Sequence, residues 1–402
     1  MRALPPRLSV LHIFNDGHPD LFGGAVSVIR DICMALKDGY TACVLVRSQS
    51  RGQRRILVNG VTVERVRSFG ELGSVPAAPA YPLRLWRRVS DYDLLALHAP
   101  FPLADLMFAL GMGRDRPLVV HYHADIVSYP GLRRLADMLM RRTLRRADAV
   151  IVSSALLLNG SRLLREFAEK CYVVPFGIDV SQYDRPAQRS RGDDAEGDHG
   201  RLVLACGPLV ACKGFDVLVR AAVARHFEVW IVGEGPEQAR LEQLIQSLGV
   251  ADRVRLLGSA PHAKLIEFMR TADVFVLPSV SNAETFGIAQ LEAMAAGRPI
   301  INTSLDTAVP RVARHGIEAI TVPPGDSARL ADAIETLLRD PERRRCMGRA
   351  ARLRATTHYS SDAFRRGIET VYRHAVTTRA SSRPAVASRR ATLGTGPENR
   401  HC

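Results

Sequence analysis

Two glutamates, Glu284 and Glu292, lie eight residues apart around Gly287. An apolar run (273–278) and a short polar loop (279–283) precede them, which predicts a strand, a loop and a helix that begins near the glycine. Free N–H groups and the positive dipole end of a helix start favour an anion, and carboxylates accept hydrogen bonds from hydroxyl groups. The stretch therefore suits a ligand with an anionic centre and a diol at each end, as in a nucleotide sugar.

Lys213 is a second candidate for anion binding. It is one of only four lysines in the chain, and it lies in a loop between Gly207 and Gly214, after a predicted strand and before a predicted helix. Lysine is a good point-charge partner for phosphate. A solvated loop lysine is the alternative, but its rarity and the flanking glycines favour phosphate binding.

Two glycine pairs follow other predicted strands. Gly23 and Gly24 precede a predicted helix, and Gly233 and Gly235 close a strand directly before Pro236. Glycines at such turns let the backbone approach a phosphate, a base or a ribose. Turn chemistry, and helix initiation by the proline, would also explain them without a ligand.

A strand-end histidine is a further candidate. His123 and Asp125 follow the predicted strand 118–122, at the position where open α/β sheets place ligands. They would contact sugar hydroxyls or a leaving phosphate there. A polar loop in which the histidine bonds only to its neighbours is an equally good interpretation of these residues alone.

The composition restricts the class of protein. A chain of 402 residues with 47% hydrophobic residues predicts two globular domains. The net charge of +14 favours anionic partners, but no nucleic-acid recognition motif is present. Seven cysteines without metal-binding spacing and the absence of an apolar signal or spanning segment lead us to expect a cytoplasmic protein without a metal site.

Two arginine-rich segments raise the question of membrane contact. Residues 132–146 form a basic amphipathic helix pattern, which predicts either contact with an anionic membrane or, more simply, a solvated arginine face. Residues 378–402 are basic and poor in bulky apolar side chains, so we expect a disordered tail.

Short apolar runs alternate with helical patterns along the chain, which predicts an α/β fold with parallel sheets. The predicted strands are 8–14, 42–47, 94–98, 118–122, 149–153, 202–206, 228–232, 254–257, 274–277 and 300–303. The predicted helices are 24–37, 131–146, 214–225, 236–248, 262–271 and 287–296. Residues 184–200 contain almost no apolar side chain, and we interpret them as a linker or mobile loop.

Taken in order, these motifs resemble those of the retaining GT-B glycosyltransferases of the large group 1 family, over residues 8 to 375. The resemblance is closest to bacterial O-antigen and polysaccharide mannosyltransferases that use GDP-mannose. The motifs that carry it are Gly23-Gly24, His123-Ala-Asp-Ile-Val127 with Tyr129, Val174-Pro-Phe-Gly-Ile-Asp179, Lys213-Gly214, Gly233-Glu-Gly235, Ser281-Asn-Ala-Glu-Thr-Phe-Gly287, Glu292, Ile301-Asn-Thr-Ser-Leu305 and Val322-Pro-Pro-Gly-Asp326.

The resemblance implies two Rossmann-like domains that face each other across a cleft. Residues 1–183 would bind the acceptor and residues 201–359 the nucleotide sugar. The helix 360–376 would cross back onto the first domain.

The resemblance also implies roles for single residues. Glu292 would bind the ribose and Glu284 the hydroxyls of the transferred sugar, while Lys213 and the backbone at Gly24 would hold the diphosphate. Backbone N–H groups from Phe286 through Gly287 to Ile288 would approach sugar and phosphate, and His123 would lie beside the transferred sugar.

The implied reaction transfers a hexose, with mannose favoured, from a nucleotide sugar to a hydroxyl of a glycan or polyprenyl-linked oligosaccharide, with retention and without a required metal. GDP-mannose is the favoured donor and a UDP-hexose the alternative. The protein would lie in the cytoplasm or peripherally on the inner membrane. A nucleotide-sugar epimerase of the same fold is the competing enzyme.

One position departs from the family pattern. Pro208 stands where many relatives carry a second arginine for the diphosphate. Either another arginine, such as Arg298, replaces it or donor binding is weakened, and a catalytically impaired nucleotide-sugar-binding protein is a further alternative.

Overall fold

The computed structural model describes residues 7–15, 32–33, 36, 39–48, 54–58, 60–69, 71–72, 75–76, 78–124, 130–184 and 201–381. Two separate sheets dominate these residues, one built from the first 173 residues and one from residues 202 to 322. The predicted linker 184–200 lies outside the described residues, apart from Asp184.

The first sheet has eight strands in the order β10-β9-β8-β7-β1-β2-β4-β3. All neighbours in this sheet are parallel except β3 and β4. Its strands are β1 (Leu8–Phe14), β2 (Tyr40–Ser48), β3 (Arg55–Val58), β4 (Val61–Arg67), β7 (Leu94–Ala99), β8 (Leu118–Tyr122), β9 (Ala149–Val152) and β10 (Cys171–Val173), and a separate small pair joins β5 (Glu71–Leu72) to β6 (Val75–Pro76).

The second sheet has six strands in the order β13-β12-β11-β14-β15-β16, all parallel. Its strands are β11 (Leu202–Cys206), β12 (Glu228–Val232), β13 (Val254–Leu256), β14 (Val274–Val276), β15 (Ile300–Thr303) and β16 (Ala319–Val322). The order reverses between β11 and β14, and ligands of open α/β sheets bind at such a switch point.

Helices connect the strands of both sheets. They are α1 (Ala80–Arg88), α2 (Pro102–Ala109), α3 (Pro130–Arg146), α4 (Ala155–Gly160), α5 (Arg162–Arg165), α6 (Phe215–Ala221), α7 (Gln238–Ser247), α8 (His262–Thr271), α9 (Ile288–Ala295), α10 (Val309–Val312), α11 (Ser327–Arg339), α12 (Pro341–His358) and α13 (Ser361–Ser381). The central strands β7, β8 and β11 are buried at every position, as expected for parallel strands covered on both faces. The two-sheet α/β architecture predicted from the sequence is confirmed.

The last helix, α13, packs on the first sheet although the second sheet precedes it in the chain. Phe364, Ile368 and Tyr372 share a buried cluster with Val10 and Val119 of β1 and β8. The contact is close, because a Cβ on Gly367 would lie 2.7 Å from a Val174 methyl group. Helix α13, which follows the second half of the chain, therefore links it to the first half by packing on the first sheet.

All strands predicted from the sequence are present, several with the predicted bounds. The strands β3, β4, β5, β6, β10 and β16 were not predicted. At β3 and β4 the charged residues Arg55, Glu64, Arg65 and Arg67 interrupt the apolar pattern. Glu64 is nevertheless buried, since its carboxylate accepts hydrogen bonds from Arg84 and Arg88. Charge pairing at this position replaces the apolar side chain that the pattern requires.

Several predictions for the helices need correction or remain outside the described residues. The helices α1, α2, α4, α5, α10, α11 and α12 were not predicted. Helix α13 continues to Ser381, so the first residues of the predicted disordered tail are helical, and residues 382–402 lie outside the described residues. The predicted helix 24–37 also lies largely outside them.

The basic helix α3 carries both polar and apolar exposed side chains. Leu135 and Met138 are partly exposed, whereas Leu139 and Leu144 are buried. Arg141 forms a bidentate ion pair with Glu166. Part of the arginine-rich face of α3 therefore contacts other residues of the protein. None of the helices in the described ranges is long and apolar enough to cross a membrane.

Asp105 of α2 carries a pH-dependent cost to stability. Its side chain is fully buried, and neither carboxylate oxygen has a hydrogen-bond partner among the described residues. Burial raises the pKa of Asp105 to about 7, against a smaller opposing effect of the nearby Thr143 hydroxyl. The unfolded carboxyl has a pKa of about 3.9, so the folded state binds the proton more tightly and stability falls as pH rises between these two values.

We predict that Asp105→Asn removes this fall. The free energy of unfolding of the wild type should decrease by up to ~4 kcal/mol between pH 4 and pH 8 relative to the variant. Urea unfolding at several pH values measures the difference in the free energy of unfolding. Hydrogen exchange of the backbone amides of β7 and β8 is a second measurement of it. Asp252→Asn, at an exposed turn, is the matched control, and parallel pH profiles of wild type and Asp105→Asn would contradict the prediction.

Candidate active site

The loop after β11 brings Lys213 to the carboxyl edge of the second sheet. A short 3-10 turn, Ala211–Lys213, ends at Gly214, which adopts a left-handed conformation with φ of 64°. A Cβ at this glycine would lie 2.2 Å from the carbonyl oxygen of Pro278, so only glycine permits the two loops to touch. The backbone N–H of Val280 also donates to the carbonyl of Cys212. The loop of Lys213 is thereby fixed against the loop that leads to Glu284.

Lys213 and Glu284 form an ion pair between these two loops. We call the place where they meet the recess. The Lys213 ammonium donates to Oε2 of Glu284, and the Ser279 hydroxyl donates to the same oxygen at 3.2 Å. The two side chains are only 18% and 11% exposed. Because solvent screens such a pair poorly, it holds the loop of Lys213 against the loop of Glu284.

Helix α9 begins next to this pair. Its cap is Gly287, with φ of 76°, and its first turn carries no acidic side chain. A Cβ on this glycine would lie 2.6 Å from a Leu277 methyl group. The first N–H groups of an α-helix have no intrahelical acceptor, so the helix start at Ile288 has the form of an anion site, and its binding of an anion stays a prediction.

A buried polar network supports that helix start. The Gln290 amide donates to the carbonyl of Phe286 at 3.0 Å and to that of Val309 at 3.1 Å. The Asn302 amide donates to the Gln290 side-chain oxygen at 3.1 Å, and the Thr321 hydroxyl donates to the Asn302 oxygen at 2.8 Å. A network with satisfied members fixes the loop position. Neither Gln290 nor Asn302 was predicted from the sequence as a supporting residue.

Glu292 lies one turn further along α9, close to the same recess. Burial raises the pKa of the Cys206 thiol at the end of β11, the nearby charges of Glu292 and Glu284 raise it further, and Lys213 lowers it. All three charged groups predicted from the sequence therefore converge on one strand end.

Gly233 and Gly235 have a structural explanation. A Cβ on Gly233 would lie 1.9 Å from the carbonyl oxygen of Gly207, and one on Gly235 would lie 2.5 Å from that of Leu209. Close packing between two neighbouring loops therefore requires both glycines. Their contact with a ligand stays a prediction.

His123 reaches the same region from the first sheet. The Thr285 hydroxyl, next to Glu284, donates to the His123 carbonyl at 3.1 Å. The imidazole stacks on Phe176, whose ring packs edge-on against Phe286 with centroids 5.0 Å apart. The structure thus brings His123, Lys213 and the start of α9 together. Gly23, Gly24, Asp125, Val127 and Tyr129 lie outside the described residues.

The suggested replacement for the missing arginine is not supported. The Arg298 guanidinium donates to the carbonyls of Ala272 and Ala296 at 2.9 and 3.1 Å, and it lies near Asp273. It therefore stabilises the end of α8 rather than the recess. In the described part of the chain no group of three or more His, Cys, Asp or Glu side chains is arranged to hold a metal ion.

Two sequence families match the chain. Residues 187–354 match the family described as "Glycosyl transferases group 1", and residues 23–177 match the "Glycosyl transferase 4-like domain". Among solved structures, sucrose-phosphate synthase from Thermosynechococcus elongatus superimposes with a TM-score of 0.76 at 22% identity, covering 94% of this chain and 100% of that one. WaaG, a glycosyltransferase involved in lipopolysaccharide biosynthesis, has a TM-score of 0.67 at 18% identity, with coverage of 90% and 98%.

Three curated relatives have sequence identity over most of their length. The D-rhamnosyltransferase WbpZ of Pseudomonas aeruginosa is 29% identical, covering 86% of this chain and 91% of that protein. The O-antigen chain mannosyltransferase C of Escherichia coli is 28% identical, with coverage of 88% and 95%. The phosphatidyl-myo-inositol mannosyltransferase of Mycobacterium leprae is 31% identical, with coverage of 67% and 71%.

The two family matches, the identity with these transferases and the two-sheet architecture agree with one another. The chain belongs to the group 1 glycosyltransferases and has their GT-B fold.

Proposed function

We propose that the protein transfers a hexose, with mannose favoured, from a nucleotide diphosphate sugar to a hydroxyl of a glycan or lipid-linked acceptor in cell-surface polysaccharide synthesis, with retention at the anomeric carbon. The observation that carries the proposal is the sheltered Lys213–Glu284 pair beside the uncapped start of α9. It combines a cation and free N–H groups for a diphosphate with a carboxylate for sugar hydroxyls.

The three relatives named above favour a sugar of manno configuration. One relative is named for D-rhamnose and two are named for mannose. D-Rhamnose is D-mannose without its 6-hydroxyl group, so both sugars carry the same axial 2-hydroxyl. GDP-mannose is therefore the first donor to test and a UDP-hexose the second.

The proposed chemistry breaks the bond between the anomeric carbon and the diphosphate oxygen. The acceptor oxygen forms its bond on the same face of the sugar, and its proton passes to the departing phosphate. No protein nucleophile is needed. The protein contributes positioning, together with charge stabilisation of the leaving diphosphate by Lys213 and the N–H groups from Phe286 to Ile288.

The acceptor would enter from the first sheet, on the side of His123. We propose a glycan or polyprenyl-linked oligosaccharide acceptor. Peripheral contact with an anionic membrane at the cytoplasmic face would bring the protein to such a lipid.

The donor is tested by thermal stability. GDP-mannose, UDP-glucose and UDP-N-acetylglucosamine are compared at equal concentrations, and we expect the largest rise in Tm with GDP-mannose, because a ligand that binds only the folded state stabilises it by mass action. Transfer of labelled mannose to a lipid-linked acceptor then tests the reaction. A larger shift with a UDP-sugar would overturn the GDP-mannose assignment.

Lys213→Ala should lower kcat by about 10²-fold or more, the effect typical of a lost group that stabilises charge in the transition state. Steady-state kinetics with the preferred donor measure it. Lys264→Ala is the matched control, because that lysine is exposed and pairs with Glu267. Full activity of Lys213→Ala would remove the diphosphate role from this lysine.

Glu284→Gln should separate transfer from nucleotide binding. The carboxylate neutralises Lys213 in the ligand-free protein, so its loss leaves the lysine free for the diphosphate. We expect the affinity for GDP to stay equal or increase while kcat falls, because the sugar hydroxyls lose a charged acceptor. Calorimetry with GDP and steady-state kinetics give the two values, and a parallel loss of both would place Glu284 on the nucleotide.

A further inference from the structure

Four histidines line one face of the first sheet. His12 lies on β1, His98 on β7 and His121 on β8, and His123 follows two residues later. His98 pairs in register with His121, and Ala96 pairs with His12. Side chains two residues apart on a strand share a face, so the register places all four imidazoles together, beneath helix α13.

Three of these imidazoles form a hydrogen-bonded chain. Nδ1 of His12 lies 3.0 Å from Nε2 of His98, and Nδ1 of His98 lies 3.0 Å from Nε2 of His123. The rings of His98 and His123 are stacked with an angle of 8° between their planes. The chain leads from the interior of the sheet to the recess beside Thr285. At its inner end, the buried Nε2 of His12 has no hydrogen-bond partner among the described residues.

The chain is uncharged. Burial lowers the pKa of His12 to about 3 and that of His123 to about 4. Burial and the neighbouring histidines lower the pKa of His98 and His121 well below the ordinary value. Each ring in the chain therefore carries one proton at neutral pH, and each hydrogen bond joins one N–H to one lone pair.

Only two proton arrangements satisfy both hydrogen bonds. In one, every proton points inward, and the unpartnered Nε2 of His12 carries a buried N–H without an acceptor. In the other, every proton points toward the recess, and the same nitrogen has only an unused lone pair. An orphaned buried N–H is rarer in proteins than an under-used acceptor. The second arrangement places the proton of His123 on Nδ1, the nitrogen that is not bonded to His98.

We propose that His98 is a positioning residue that holds His123 as the neutral Nδ1–H tautomer, so that His123 donates a hydrogen bond to an oxygen of the transferred sugar. The proposal rests on the proposed function for the identity of that oxygen. It assigns His123 the role of a donor and not of a general base, because the nitrogen that is not bonded to His98 carries the proton and has no free lone pair.

The chain does not conduct protons. His121 forms a separate branch, since its Nε2 contacts the Tyr372 hydroxyl at 2.8 Å. His12 is the inner end of the chain and has no onward partner in the described part of the protein. A chain closed at one end cannot deliver or remove a proton, but it can orient one.

The tautomer is measured directly in the intact protein without substrate. Histidine-selective ¹⁵N labelling and long-range ¹H–¹⁵N correlation distinguish protonated from unprotonated ring nitrogens. The His123 signals are assigned by their loss in His123→Gln. We expect a protonated Nδ1 and an unprotonated Nε2. The reverse assignment, or averaging between the two tautomers, would overturn the proposal.

A matched pair of variants tests the consequence for transfer. His98→Asn keeps a side-chain N–H near the position of Nδ1, whereas His98→Leu has a similar size and no donor. We expect His98→Leu to lower kcat about fivefold to tenfold with little change in donor KM, as for a lost hydrogen bond, and His98→Asn to recover most of the loss. Equal losses in both variants would contradict the positioning role.

The two proposals fail in different ways. A wild-type protein that transfers no sugar from any nucleotide sugar would overturn the proposed function. The NMR result on the tautomer of His123 would still decide the proton arrangement by itself.

Discussion

The ion pair between Lys213 and Glu284 depends on a contact between two loops. Several parts of the second sheet hold these two loops in place. The left-handed Gly214 lets its loop reach the Pro278 carbonyl, and the Gln290–Asn302 network holds the start of α9 beside the pair. Parallel strands bring both loops to one edge, because their carboxyl ends meet there. A carboxylate and an ammonium in a poorly screened recess attract strongly, so the pair in turn fixes the loops.

The first sheet joins this arrangement at His123 and Phe176. The hydrogen bond from Thr285 to the His123 carbonyl and the stacking of His123 on Phe176 link the two halves at the recess. Helix α13 adds a second connection, since Ile178 and Ser360 form a bridge just before it begins. The row of four histidines (His12, His98, His121 and His123) therefore lies between helix α13 and the recess.

The sequence predicted the architecture, because apolar runs mark buried parallel strands and glycines mark the turns after them. It also indicated Lys213, Glu284 and Glu292, which the fold brings to one strand end. It did not predict β3 and β4, where Glu64 is buried through pairing with arginines, a contact between residues far apart in the chain. The histidine row shows the same limit. The spacing of His121 and His123 indicates a common face, but their meeting with His12 and His98 depends on strand order and register. The role of Gln290 and Asn302 likewise depends on partners that only the fold brings near.

Pro208 and the ion pair together bear on how a diphosphate would be held. With a proline in place of an arginine, and with Arg298 bound to backbone carbonyls, Lys213 is the one cation that the described residues bring next to Glu284. That lysine is already neutralised in the ligand-free protein. In the proposed function, an incoming diphosphate must therefore replace Glu284 as the ion-pair partner of Lys213. The same exchange frees the carboxylate to accept hydrogen bonds from the sugar hydroxyls, so diphosphate binding and sugar recognition would be coupled through one ion pair.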